Sequence, residues 1–191
     1  MKRSVPATIK NAPGRERLRR RYRPARVRML FVGESPPASG RFFYQADSGL
    51  YRAIRDAFVH ACPHVAEDNF LKSFQELGCY LVDLCGKPVD RMNSEQRRRA
   101  CRDGEVRLAR ILKQLRPKIV ITVVRSITAN VRRSEFRAAW SGRHIELPYP
   151  GRWIRHRTIF LTTLKPILRE CYALRPRSKA VVRRGADQIR S

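Results

Sequence analysis

Short runs of consecutive apolar residues alternate along the chain with longer stretches in which apolar positions recur at helical spacing. Val27–Val32 is the first such run and predicts a strand. Over Asp47–Cys62, Leu50, Ile54, Ala57, Phe58 and Ala61 fall on one face and predict an amphipathic helix. A short helix at Asn69–Leu77 stops at Gly78, and Cys79–Leu84 forms the second strand. Ser94 is placed to cap a helix running to Leu115, with Val106, Leu108, Ala109, Ile111 and Leu112 as core and Pro117 closing it. Lys118–Val124, β-branched and almost wholly apolar, reads as a buried strand. Ser126 or Thr128 begins the next helix, and His144–Leu147 is the fourth strand. After a turn at Pro148–Arg152, a long helix runs from about Trp153 to Leu174, with Pro166 as a kink; a strand at Thr158–Thr162 is the alternative.

Strands alternating with helices predict an α/β protein, a three-layer αβα arrangement around a central, mainly parallel four-stranded sheet. Ligand-binding groups in such sheets gather beyond the carboxyl ends of the strands. That rule sets Glu34, Asp83, Arg125 and the turn holding Tyr149 along one rim.

Charge narrows the partner. Forty-two Lys and Arg against sixteen Asp and Glu give a formal net charge of +26 over 191 residues. Such an excess attracts polyanions, so DNA is the expected partner, with single strands or RNA as variants of it. The 42% hydrophobic content is enough for one well-cored domain, which excludes a basic tail disordered from end to end. Three segments are expected: a flexible basic arm over 1–26, the α/β domain over 27–175 and a basic tail over 176–191. Five cysteines, an odd number, and no secretory leader fit a reducing cytoplasm. No run approaches eighteen apolar residues, so no membrane span is expected, and the protein is read as a monomer.

The chemistry concentrates after the first strand. Gly33–Glu34–Ser35–Pro36–Pro37 is a tight turn carrying one carboxylate, followed by the rings of Phe42, Phe43 and Tyr44. A carboxylate fixed beside a flat apolar surface suits work on a stacked base; a loop cap is its ordinary structural role. The adjacent rings cannot all face one pocket, so at least one belongs to the core. His60, Cys62 and His64 alternate, but Pro63 intervenes and a fourth ligand is missing, so no zinc site is expected.

The order Gly33–Glu34–Ser35–Pro36, aromatic residues, Leu81–Val82–Asp83–Leu84, Arg116–Pro117–Lys118–Ile119–Val120–Ile121 and a late proline turn resembles the uracil-DNA glycosylase superfamily. It looks closest to the branch whose first motif reads Gly-Glu-Ala-Pro-Gly. The resemblance implies a base-flipping enzyme that hydrolyses the N-glycosidic bond of a damaged base without a cofactor. It gives Glu34 the role of activating or orienting water, within a substrate-binding loop of Gly33, Ser35 and Pro36. Phe43 is the ring chosen to stack on the base, with Phe42 and Tyr44 as competitors. Asp83 stands where uracil-selective members place an asparagine that reads the base edge; pairing with Arg91 or Arg125 is its alternative. Tyr149–Pro150–Gly151 occupies the later His-Pro-Ser motif, or Lys165–Pro166 does if Thr158–Thr162 is a strand. Either way the motif histidine is missing, and Tyr149 or His156 is left to assist the departing base. Arg41, Arg125, Arg152, Trp153 and Arg155 are candidate nucleic-acid contacts.

The iron–sulfur members of that branch use four cysteines. Cys85 and Cys101 match the spacing of the later pair, but no cysteine precedes Cys62, so no cluster is expected and the metal set is empty. A second function class stays open: a nucleic-acid-binding protein that kept the pocket without turnover. A small-molecule nucleoside hydrolase is a third, which the charge disfavours. The enzymatic reading requires Glu34 and a ring to share an open cavity, with the carboxylate not consumed by a buried ion pair.

Overall fold

The computed structural model describes residues 12–151 and 153–172. The parts of the arm and tail at 1–11 and 173–191, and Arg152, lie outside the described residues. Four strands, β1 (Met29–Gly33), β2 (Cys79–Asp83), β3 (Ile119–Thr122) and β4 (Arg143–Glu146), form one sheet in the order β2-β1-β3-β4. All three pairings are parallel, with Gly33 opposite Asp83 and Ile121 opposite both Phe31 and Ile145. Every residue of β1, β2 and β3 is buried, which is why these strands read as unbroken apolar runs.

Among the described residues, six α-helices complete the three layers: α1 (Ala12–Arg21), α2 (Gly49–Ala61), α3 (Phe70–Glu76), α4 (Ser94–Leu115), α5 (Thr128–Arg137) and α6 (Ile154–Tyr172). Right-handed crossovers put α2 and α3 on one face of the sheet and α4 and α5 on the other. α6 returns against α2, and α4 packs on α5. Asn93, not Ser94, caps α4 in a capping box with Gln96. The alternative strand at Thr158–Thr162 is helix; Thr158 and Thr162 bond their hydroxyls back to the carbonyls of Ile154 and Thr158 at 3.1 and 3.0 Å.

The largest departure from expectation is the packing of α1 against the core, within a segment read as a flexible arm with room for a short helix. Pro13 stands in its first turn, where a missing N–H is harmless, and Glu16 pairs with Arg19 and Arg20 one turn later. Arg15 and Arg19 are buried on one side of the helix, and Leu18 and Tyr22 pack against the core. α1 is a strap laid against the end of β2.

Candidate active site

The sheet changes direction of winding between β1 and β3, the position at which α/β sheets open a crevice beyond the strand ends. β1 finishes on a glycine, Gly33, beside Asp83: a Cβ there would stand 2.8 Å from Asp83 Oδ1. The chain then turns through Pro36 and Pro37, fastened to the segment following β2. Leu84 and Cys85 donate their N–H groups to the carbonyls of Gly33 and Glu34 at 2.8 and 2.7 Å. Val89 N–H donates to Ser35 Oγ at 3.3 Å, and Ala38 N–H to the Asp90 carboxylate at 3.2 Å.

Over this loop opens a cavity of about 310 Å³. Ligand pockets start near roughly 300 Å³, so it can take a small ligand. Gly33, Glu34, Ser35, Pro36, Phe42, Phe43, Asp83 and Tyr149 all line it. Eight residues singled out in the sequence thus meet in one place, although they come from three separate segments. Phe43 is braced edge-on by Tyr44 and Tyr51, at centroid distances of 5.0 and 5.8 Å. Half-exposed Tyr149 stands at the mouth, and burial pushes its phenol up, which keeps it a neutral donor.

The remaining candidates do not line the cavity. Tyr44 is core: its hydroxyl donates to the Leu81 carbonyl at 3.0 Å and accepts from the Leu81 N–H at 2.8 Å. Pro150 is buried behind the turn, and Gly151 gives the Tyr149 ring room, since a Cβ there would overlap it. Arg41, Arg125 and Arg155 point charge to solvent from outside the cavity, and Trp153 is 63% exposed. His156, half-buried on the first turn of α6, is also outside it.

Glu34 is not free. Its carboxylate accepts two hydrogen bonds from Arg97, from Nε at 2.6 Å and Nη2 at 2.5 Å. The geometry is bidentate, among the stronger ion-pair arrangements. Glu34 is 14% exposed and Arg97 44% exposed in their side chains, so the pair sits at the edge of solvent and not in the core. One turn along α4, Cys101 Sγ lies 3.9 Å from Glu34 Oε1 and 3.8 Å from Cys85 Sγ. Burial pushes the Cys85 thiol up to about 12 and raises that of Cys101, so both are thiols near neutrality.

Asp83 pairs with neither Arg91 nor Arg125 but with Arg19 of α1, Nη2 to Oδ2 at 2.8 Å. Both side chains are about as buried as a core residue, at 10% and 8% exposure. Burial pushes the Asp83 carboxyl up, against the opposing pull of Arg19, Arg107 and Arg15. The Arg19 guanidinium also lies 5.6 Å from the Phe42 ring, and Tyr22 stacks on Tyr44 at 5.7 Å. α1 therefore fixes two lining residues of the cavity from behind.

A scan against protein-family models finds no match, and a search of curated proteins finds none. The site's chemistry must be read from its own residues. Among the described residues no group of three or more His, Cys, Asp and Glu side chains is placed to hold a metal ion. Sequence reasoning missed Arg19, Asp90 and the pairing of Arg97 with Glu34. Another unforeseen line runs from Thr122 Oγ1 to His144 Nε2 at 2.8 Å and from His144 Nδ1 to Glu135 at 2.9 Å. Thr122 is fully buried, so this Thr–His–Glu line ties β3 and β4 to α5 and presents no nucleophile.

Proposed function

We propose that the protein is a DNA glycosylase-like hydrolase, acting as a cytoplasmic monomer on a damaged or deaminated base, as the resemblance to the uracil-DNA glycosylase superfamily implies. One observation carries the reading: Glu34, Phe42, Phe43, Asp83 and Tyr149 share a single cavity at the sheet's switch point, in a chain of net charge +26. The free state of all five cysteines supports the cytoplasmic assignment.

Breaking a base–sugar bond places positive charge on the sugar and negative charge on the base. Glu34 orients the attacking water and favours the cationic sugar, as glycosidase carboxylates do. Positioned acid–base groups contribute roughly 10²–10⁴-fold. Phe43, or Phe42 beside it, stacks on the flipped base, worth about 1–3 kcal/mol. Tyr149 donates a hydrogen bond to the departing base. Asp83, an acceptor whose Oδ2 is held by Arg19, favours a base that presents an amino or ring N–H group there. Trp153 and the exposed Arg41, Arg125 and Arg155 would meet the strand.

The bidentate Arg97 clamp and the missing motif histidine favour a second reading, a binding protein without turnover. Duplexes and single strands bearing uracil, hypoxanthine, xanthine or alkylated bases, followed by alkali cleavage at abasic sites, separate the two. Strand cleavage with the wild type and none with Glu34→Gln supports the hydrolase. Binding with no product on any substrate leaves the binding protein.

A further inference from the structure

Beside the base cavity, and sharing Glu34 and Arg97 with it, lies a second cavity of about 440 Å³ between the first turns of α4 and α5. Arg97, Arg98, Arg102 and Arg133 line it, with Ser126 from the turn before α5 and Asn130 from its first turn. Its sole carboxylate is Glu34, already matched by Arg97. Arg133 is tied to Glu105. Arg98 and Arg102 have no hydrogen-bond or ion-pair partner among the described residues, and both are exposed.

This placement works against the helix. Arg98 and Arg102 stand four apart on one face and repel each other. Arg97 and Arg98 also put positive charge at the end of the first turn of α4, where the helix dipole disfavours cations. Unpaired arginines that destabilise the free helix are relieved by an anion. The distance to the base cavity is short because Glu34 and Arg97 belong to both.

We propose that this groove holds a backbone phosphate of the DNA strand whose base enters the neighbouring cavity, with Arg98 and Arg102 as its principal cations. The inference rests on the nucleic-acid reading of the site but not on turnover. A strand phosphate is favoured over a free one because the groove is open and continuous with a base-sized cavity.

The test is binding of an undamaged fluorescent oligonucleotide, followed by anisotropy over a salt series. Each lost phosphate contact lowers the slope of log affinity against log salt by about 0.7 for single strands and about 0.9 for duplex. Arg98→Gln/Arg102→Gln removes the cations of that one phosphate and should therefore flatten the slope by about 0.7 to 0.9. Arg98→Lys/Arg102→Lys should keep it, and Arg110→Gln/Lys113→Gln, the same charge removed from the far half of α4, should leave it near the wild type. A groove variant no flatter than that control overturns the proposal while leaving DNA binding intact. No binding by the wild type overturns the functional reading as well. Inorganic phosphate that displaces the oligonucleotide at equal molar concentration would make the groove a free-anion site and overturn the strand assignment.

Discussion

Replacing Arg19 by methionine tests whether α1 is a structural strap. Arg19 and Asp83 are in contact at 2.8 Å with side-chain exposures of 10% and 8%. Charges about 4 Å apart attract by about 4 kcal/mol at an effective dielectric near 20. Desolvating two ions costs about as much or more, so the pair itself adds little net stability. Removing one partner is different, because the other charge stays buried; such changes cost roughly 3–5 kcal/mol. Loss of the guanidinium over Phe42 adds about 0.5–2 kcal/mol. For a chain of 150–250 residues each kcal/mol moves the midpoint by about 2–4 °C, so Arg19→Met should lower it by about 7–28 °C. Urea unfolding followed by tryptophan fluorescence gives the free energy directly. Arg19→Met/Asp83→Asn should recover part of the loss, a coupling of roughly 1–3 kcal/mol. Arg143→Met breaks the exposed pair with Glu170 at 2.9 Å and should cost under about 1 kcal/mol. If Arg19→Met cost no more than Arg143→Met, the buried-pair reasoning would be wrong.

Two further predictions rest on close contacts. Gly104→Ala should destabilise by about 1–3 kcal/mol in the same unfolding assay, although helix propensity alone favours alanine by about 1 kcal/mol. The added Cβ would overlap the Leu84 carbonyl oxygen and lie 3.0 Å from its carbon, where no rotamer change gives relief; Gly86→Ala, with nothing within 4 Å, is the control. Cys85 should resist iodoacetamide in the folded protein: with its thiol pushed up to about 12, only about one molecule in ten thousand is thiolate at pH 8. Labelling measured by mass spectrometry should rise with pH and become complete in denaturant. Fast labelling at pH 8 in the native state would contradict the burial.

The sheet was legible because parallel strands buried on both faces appear as uninterrupted apolar runs, as in Leu30–Val32 and Ile119–Ile121. α4 was legible at both ends, but its inner face was not fully so. Val106 is exposed, because the buried stripe runs through Cys101, Glu105, Leu108 and Leu112. Glu105 replaces an apolar side chain there by accepting from Asn130 at 2.8 Å and pairing with Arg133. The half of the site carried by local motifs, Gly33 to Phe43 and Asp83, was visible in the sequence. Its partners were not: Arg19 reaches Asp83 across 64 positions and Arg97 reaches Glu34 across 63, separations at which spacing carries no signal. An arginine-rich helix looks like a solvated arm until burial of Arg15 and Arg19 is seen.

The Arg97 clamp bears on the proposed hydrolysis in two opposed ways. A guanidinium beside the carboxylate offsets the negative charge that would favour a cationic sugar. Yet each carboxylate oxygen accepts at two positions, and a bidentate arginine occupies one on each. The Cys101 thiol, 3.9 Å from Oε1, faces the second position there, so Oε2 keeps the open position to orient water, and the clamp fixes its direction as Gly33 and the prolines fix the backbone. Arg97 also lines the groove in which a strand phosphate is proposed to lie. A phosphate there competes for the same guanidinium, so on this reading the offset of the carboxylate by Arg97 weakens when the strand is in place. Free protein would then hold Glu34 oriented but electrostatically muted, and the bound strand would supply the missing half of the site.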